Sequence, residues 1–126
     1  MFADTKAYSG FAVDDLEQAK KFYGETLGLR ISILDEDAGL MQLELAGDRN
    51  TLVYRQEGTT PASYTILNFP VDDVEGAVDE LAARGVSFER YDGFDQDERG
   101  IARGSGPDIA WFKDPAGNVL AVHKDG

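Results

Sequence analysis

Two stretches of the chain have apolar residues at the three- and four-residue spacing of a helix that buries one face. The apolar positions are Leu16, Ala19, Phe22, Tyr23 and Leu27 in the first stretch, and Val74, Ala77, Val78, Leu81 and Ala82 in the second. Each stretch stops at a glycine, Gly28 or Gly85, the residue type that most often ends a helix in the left-handed conformation. The pattern therefore predicts one helix in each half of the chain.

The same short motif begins both helices. Val13-Asp14-Asp15-Leu16-Glu17 in the first half returns as Val71-Asp72-Asp73-Val74-Glu75 in the second. An aspartate placed before an apolar stripe accepts hydrogen bonds from the free amides of the first helical turn. We interpret these aspartates as helix caps rather than as a catalytic pair, and the repeat as the sign of two similar modules.

Alternating apolar residues before each helix predict a strand, at Lys6–Val13 and at Ser63–Val71. The alternation is expected to turn Phe11, Val13, Leu67, Phe69 and Val71 toward the helices. Further strands are predicted at Leu29–Leu34, Leu40–Leu45, Thr51–Gln56, Val86–Tyr91, Ile109–Lys113 and Val119–His123. Each half of the chain thus has the order β-α-β-β-β.

The length of the chain fits a single domain, residues 1–126. We expect it to consist of a module at 1–57 and a module at 63–126, because glycine, proline and threonines make 58–62 a natural linker. The two modules account for all the predicted helices and strands.

Two five-residue turns, Ala46–Asn50 and Asp114–Asn118, are predicted to join the last two strands of each module. The other irregular stretch, Asp92–Pro107, is too long for a bare connection. It is predicted to be a flap or a disordered loop, and is the candidate lid.

Composition narrows the choice of partners. The chain has no cysteine, which excludes disulfides, thiol nucleophiles and cysteine-ligated metals. A net charge of −12 disfavours nucleic acid and anionic membranes, and it would favour a cationic small molecule. The N-terminus lacks the basic flank and apolar run of a signal peptide, and no stretch has membrane-spanning length, so a cytoplasmic location is expected.

Several of these segments resemble the vicinal oxygen chelate superfamily, which includes glyoxalase I, extradiol dioxygenases, fosfomycin-resistance enzymes and bleomycin-binding proteins. The specific pieces are Val13-Asp14-Asp15-Leu16 with Ala19, Phe22-Tyr23 and Leu27-Gly28-Leu29 in the first module, and Trp111-Phe112-Lys113-Asp114-Pro115-Ala116-Gly117-Asn118 with Leu120 in the second. The resemblance implies an α+β fold in which two βαβββ modules form a curled mixed sheet with a cleft. It also implies a homodimer.

Metal-dependent members of that superfamily place one ligand on the first and last strand of each module. The resemblance puts these positions at Tyr8, Val53, Ile66 and Ala121. A transition metal needs three or four converging nitrogen, oxygen or sulfur donors, and these side chains do not supply them. We therefore expect no metal and no cofactor, and a structural or surface role for the sole histidine, His123.

Residues two apart on a strand share a face, which identifies the side chains expected to line the cleft. Trp111 is predicted to lie across from Ala121, and Leu43 across from Val53 with Arg55 on the same side. The predicted ligand-binding residues are Tyr8, Leu43, Val53, Arg55, Tyr64, Ile66, Asn68, Trp111, Ala121 and His123. Their aromatic members suit a flat or cationic ligand, although aromatic residues also occur at dimer interfaces.

Three functions follow from these features. The first is a metal-independent protein that binds and sequesters a hydrophobic or cationic aromatic compound, similar to the antibiotic-binding branch of the superfamily. The second is an enzyme, either a lyase or isomerase with Tyr8 and His123 as acid and base, or a metal enzyme that takes ligands from the flap. The flap acids are Asp92, Asp95, Asp97 and Glu98. The third is an interaction module with no small ligand.

Overall fold

The computed structural model describes residues 1–104 and 106–125. The chain divides into two compact units, Met1–Thr60 and Pro61–Gly126. Each unit combines a helix with a small sheet that contains both parallel and antiparallel strand pairs. The predicted α+β class is therefore confirmed. In the described part of the chain, no helix is long and apolar enough to cross a membrane.

The first unit has the predicted β-α-β-β-β order. Its elements are β1 (Gly10–Val13), α1 (Leu16–Lys21) continued by a π-helical turn (Phe22–Thr26), β2 (Ile31–Asp35), β3 (Leu40–Leu43) and β4 (Thr51–Arg55). The sheet order is β1-β4-β3-β2, with β1 parallel to β4. The first strand begins later than predicted, because the N–H groups of Thr5 and Ala7 are used in a local turn.

The second unit consists of β5 (Thr65–Val71), α2 (Val74–Ala83), β6 (Ile109–Lys113) and β7 (Val119–Lys124). Its sheet has the order β5-β7-β6, with β5 parallel to β7 and β6 antiparallel to it. The helix packs on this sheet through a buried cluster of Val74, Val78, Ile101, Ala110 and Val122. The second unit therefore repeats the frame of the first with one strand fewer.

Both helices begin and end as predicted. Asp15 Oδ1 accepts the Gln18 N–H at 3.1 Å, and Asp73 Oδ1 accepts the Gly76 N–H at 3.0 Å. Just beyond the helical residues, Gly28 and Gly85 have φ values of +72° and +91°. The repeated aspartates are thus N-caps that satisfy amides of the first turn.

The predicted strand at Val86–Tyr91 is wrong. Only an isolated bridge forms there, between Phe88 and Phe112 on the outer edge of β6. The side chain of Gln96 takes the place of a neighbouring strand: its amide nitrogen donates to the Glu89 carbonyl at 2.9 Å, and its oxygen accepts the Tyr91 N–H at 2.8 Å. With these backbone groups satisfied, a continuous ladder is not needed.

The hairpin between β3 and β4 is longer than predicted. Leu43 lies opposite Thr51, so the predicted pairing of Leu43 with Val53 is wrong. The N–H of Glu44 donates to the Arg30 carbonyl on the β2 side at 2.9 Å, which carries the chain past the predicted start of the turn. The observed pairing is shifted by two residues from the predicted one. Because strand side chains alternate with a period of two, this shift does not change which residues share a face.

The turn between β6 and β7 has the predicted length, since Lys113 lies opposite Val119. Asp114 and Asn118 hold it: the Asp114 carboxylate accepts the Asn118 N–H at 2.8 Å and the Asn118 amide at 3.0 Å. Both residues are buried. Trp111 consequently lies opposite Ala121, as predicted.

Candidate functional site

Each sheet has one face covered by its own helix and one face without a helix, which we call the helix-free face. Residues paired in register share a face. In the first unit Val53 is the partner of Phe11, whose ring centroid lies 5.6 Å from that of Tyr23 in the π-helical turn. Val53 therefore faces the helix, and Leu43, which has the same orientation in the sheet, faces it too.

The prediction that Leu43 and Val53 line a ligand surface is thus wrong, since both are completely buried on the helix side. An offset of one residue along a strand reverses the face. Leu52 is the partner of Gly10 and Gln42, and it holds in the first sheet the position that Ala121 holds in the second. The helix-free face of the first sheet includes Gly10, Ala12, Ser32, Leu40, Gln42, Leu52 and Tyr54.

The helix-free face of the second sheet keeps four of the predicted residues together. Asn68, Ala121 and Trp111 form one row across the three strands. His123 is two residues beyond Ala121 on the same face. Ala121 is completely buried, whereas Asn68 is exposed and Trp111 and His123 are half-buried. A ligand would therefore meet an amide, an indole and an imidazole rather than the small residue between them.

The remaining predicted residues are not in that row. Tyr8 precedes β1 and is 71% exposed, and Tyr64 precedes β5 and is 72% exposed. Ile66 lies at an irregularity in β5, where Thr65 and Leu67 pair with successive residues of β7. Arg55 is exposed at the end of β4 and donates to the Asp37 carbonyl at 3.2 Å.

Two aromatic residues that the sequence analysis missed lie against Trp111. The ring centroid of Tyr91 is 5.4 Å away at an interplanar angle of 65°, and that of Phe94 is 4.9 Å away at 56°. Both come from the region between α2 and β6. Phe94 is the one aromatic residue of the polar stretch 92–100, and an isolated aromatic residue of this kind was the available signal.

The described part of the predicted flap, residues 92–104 and 106–107, is attached to its own unit; Ser105 lies outside the described residues. Gln96 Nε2 donates to the Gly100 carbonyl at 2.8 Å, and the Asp97 carboxylate accepts the N–H groups of Arg99 and Ile101. Ile101 is completely buried in the helix cluster. At Ala102 this segment pairs with Ile109 on the outer edge of β6.

Ion pairs connect the same segment to α2. Arg99 binds Asp79 at 2.9 Å, and Arg103 binds Glu75 at 2.7 Å, Asp108 at 2.7 Å and Asp97 at 3.2 Å. Burial alone would raise the pKa of Asp97. Hydrogen bonds from the Ile101 N–H, the Arg103 side chain and the Arg99 N–H outweigh it, so the pKa of Asp97 is lowered.

Two further polar side chains belong to this region, the Tyr91 phenol and the His123 imidazole. Burial, and then the nearby Glu89 carboxylate, raise the pKa of the Tyr91 phenol, and Lys113 only partly opposes this. The phenol is therefore protonated at neutral pH. His123 Nδ1 lies 3.0 Å from the Lys124 carbonyl. A hydrogen on Nδ1 makes that contact favourable and leaves Nε2 as the acceptor in the neutral ring.

The family model of the Glyoxalase/Bleomycin resistance protein/Dioxygenase superfamily matches residues 7–122. The chain belongs to this superfamily. YraH of Bacillus subtilis (strain 168), an uncharacterized protein, is 29% identical, and the match covers 89% of this chain and 91% of YraH. Two solved structures from Streptomyces sp. CB03234 are also similar to this member of the Glyoxalase/Bleomycin resistance protein/Dioxygenase superfamily.

The first is TnmS3, an antibiotic binding protein, with 26% identity, a TM-score of 0.72 and coverage of 98% of both chains. The second is a glyoxalase/bleomycin resistance protein with 27% identity and a TM-score of 0.65, covering 94% of this chain and all of the other. The likeness extends over nearly the full length in both cases.

The candidate metal-ligating side chains of this superfamily member are dispersed over the described residues. In the described residues there is no group of three His, Cys, Asp or Glu side chains placed to hold a metal ion. The row of Gly10, Leu52 and Gln42 in the first sheet offers one amide oxygen, and the row of Asn68, Ala121 and Trp111 in the second sheet offers one as well. Among the flap acids, Asp97 is already engaged by two backbone N–H groups and a guanidinium.

Proposed function

We propose that this chain binds a flat aromatic small molecule without covalent chemistry, on the helix-free face of its second sheet. The observation that carries the proposal is the row formed by Asn68, Ala121 and Trp111. An indole and an exposed amide flank a small, buried side chain, so an apolar contact surface and an orienting polar group lie side by side. Ligand sites commonly combine a mainly apolar lining with few polar groups.

The charge of the protein favours a neutral or cationic ligand. The net charge is −12, and the Tyr91 phenol beside Trp111 is protonated at neutral pH. A cation over an indole face gains electrostatic stabilisation from the ring, whereas an anion would be repelled by the protein as a whole. The similar structure TnmS3 is an antibiotic binding protein, which supports sequestration of such a compound.

Isothermal titration tests this proposal with three probes. Proflavine is flat and cationic, anthraquinone-2-sulfonate is flat and anionic, and choline is cationic without a ring. We expect proflavine to bind most tightly, the sulfonate weakly and choline not at all. Absence of heat with both flat compounds would contradict the proposal. Equal heats with proflavine and choline would show that charge alone drives the association.

An acid–base enzyme is the second candidate. His123 lies on the same face as Trp111, and a hydrogen on Nδ1 leaves Nε2 able to accept a proton. Turnover assays of the wild-type protein and of His123→Gln with glyoxalase-type substrates distinguish this from simple binding, and elemental analysis tests separately for a metal enzyme. A homodimer and a cytoplasmic location stay predictions, and light scattering measures the first directly.

A further inference from the structure

We propose that Phe94 is a built-in occupant of the Trp111 site, which a ligand must displace and which sets the minimum size of that ligand. The inference rests on the proposed function and adds a selection rule to it. The Phe94 and Trp111 ring centroids are 4.9 Å apart, which is contact distance for two rings. A flat ligand cannot stack on that side of the indole while Phe94 remains there.

Phe94 occupies this position without being enclosed. Its side chain is 43% exposed, and its ring is tilted by 56° to the indole rather than stacked parallel to it. An aromatic residue so exposed gives up little buried area when it moves away. The contact between Phe94 and Trp111 is therefore weak, and a ligand can replace it.

The chain around Phe94 separates a movable tip from a fixed base. The base is fixed by Gln96, whose side chain makes three hydrogen bonds, to the Tyr91 N–H and to the carbonyls of Glu89 and Gly100. Arg99 and Arg103 add ion pairs to α2. The tip is the three residues 92–94 that follow Tyr91, because the Asp95 carbonyl accepts the Arg103 N–H at 3.3 Å and Asp95 therefore belongs to the base. Phe94 can thus leave Trp111 while the base keeps its bonds.

Gly93 gives the tip its freedom. Its φ is +90°, and a Cβ built at this residue would have no heavy atom within 4 Å. The backbone beside Phe94 thus lies in open space, in a conformation that glycine adopts without strain. Rotation about Gly93 is thus the motion by which the ring would leave the indole.

Replacement of Phe94 sets a threshold for ligand size. A single six-membered ring restores only the contact that Phe94 already makes, so it gains nothing by exchange. A fused two- or three-ring system covers more of the indole than Phe94 does. The additional contact gives it a net gain in binding free energy. The site thus selects fused aromatic ligands over single-ring ones of the same charge.

The test compares Phe94→Ala with the wild-type protein, using proflavine and the single-ring cation benzyltrimethylammonium. We expect proflavine to bind about threefold to tenfold more tightly to the variant, as expected for loss of one competing ring contact. Benzyltrimethylammonium should bind measurably only to the variant. The matched control is Phe2→Ala, which removes a ring that is 73% exposed near the N-terminus. It should change the affinity for neither probe.

Trp111 is the sole tryptophan, so its fluorescence reports on this site without any ligand. Acrylamide quenching should increase about twofold in Phe94→Ala if the ring shields the indole. Phe94→Leu, which keeps an apolar side chain without the ring, serves as a second variant in case the alanine protein is unstable. It should show the same direction of change in both assays.

The outcomes separate the two proposals. If wild-type protein binds proflavine and Phe94→Ala binds it equally or less well, Phe94 is a wall of the site and the displacement inference is wrong, while the proposed function stands. If neither the wild-type protein nor any Phe94 variant binds either probe, the proposed function fails and the inference fails with it. Tighter binding together with increased quenching supports both.

Discussion

The two units have the same frame and different helix-free faces. Facing their helices, Phe11 beside Val53 in the first unit corresponds to Phe69 beside Val122 in the second. On the other face, Gly10, Leu52 and Gln42 correspond to Asn68, Ala121 and Trp111. The repeat therefore keeps the same residue types at these two helix-side positions and changes all three positions on the other face.

The units also differ at the strand that follows the helix. In the first unit that strand is β2, which pairs with β3 in the ordinary way. In the second unit an irregular segment follows the edge of β6 and contributes one residue to each face: Ile101 to the helix cluster and Phe94 to the indole. In place of a regular strand, the second unit thus has a segment that brings Phe94 against Trp111.

The largest effect is expected from Ile101→Ala, which tests whether the irregular segment is a structural part of the second unit. Because Ile101 is completely buried, its truncation should lower the free energy of unfolding by about 2–5 kcal/mol in urea denaturation. Ile33→Ala on β2 of the first unit, where the side chain is 39% exposed, should cost under about 1 kcal/mol. Equal costs would contradict the assigned role of the segment.

A smaller effect, on binding alone, is expected from two variants at corresponding positions. Trp111→Ala should weaken proflavine binding about tenfold, about 1.4 kcal/mol, because the indole is the main contact surface. Gln42→Ala, at the equivalent position of the first sheet, should leave the affinity unchanged. If the glutamine variant loses affinity instead, the ligand is bound by the first sheet.

The frame of this fold was predictable because its signals are local. Asp15 and Asp73 cap helices through contacts three residues away, and the Asp114–Asn118 turn fixes its own hairpin. The missed strand at Val86–Tyr91 depended on a distant side chain, since Gln96 satisfies backbone groups that a ladder would otherwise use. Composition and periodicity do not show that a side chain will bind backbone groups in place of a strand.

The site was predicted in part for the same reason. Trp111 and Ala121 follow from one turn length, and that pairing is confirmed. Leu43 and Val53 were assigned to the wrong face because the resemblance placed Val53 and the predicted pairing then placed Leu43 beside it, and an error of one residue inverts a strand. Phe94 was not assigned because loop residues have no periodicity from which their direction can be inferred.

The helix caps test how similar the two frames are. Asp15→Ala and Asp73→Ala should each lower the free energy of unfolding by about 1 kcal/mol, because each aspartate accepts one amide of the first turn at nearly the same distance. Thermal unfolding of both variants measures this. Asp14→Ala, one residue before the first cap, is the control and should have little effect. Markedly unequal costs for the two caps would show that the repeat does not extend to their energetics.

The smallest effect is a dependence on pH that only the second unit should have. The folded-state pKa of Asp97 is below its usual 3.8, so its stabilising effect is complete above that value and is lost as the pH falls through the lower folded value. Asp97→Asn should cost less than about 1 kcal/mol at pH 7, and the difference from wild type should shrink toward pH 3. Asp95→Asn is the control, and a pH-independent cost at Asp97 would contradict this assignment.

The buried turn between β6 and β7 has a consequence for where the chain can be cut. Asn118 Oδ1 accepts the Ala62 N–H at 2.9 Å, and a Cβ at Gly117 would lie 3.1 Å from the Pro61 ring. The hairpin thus contacts Pro61 and Ala62, the first two residues of its own unit. A separately expressed C-terminal half should therefore start at Pro61, since a fragment that starts at Ser63 would lack the amide that Asn118 binds.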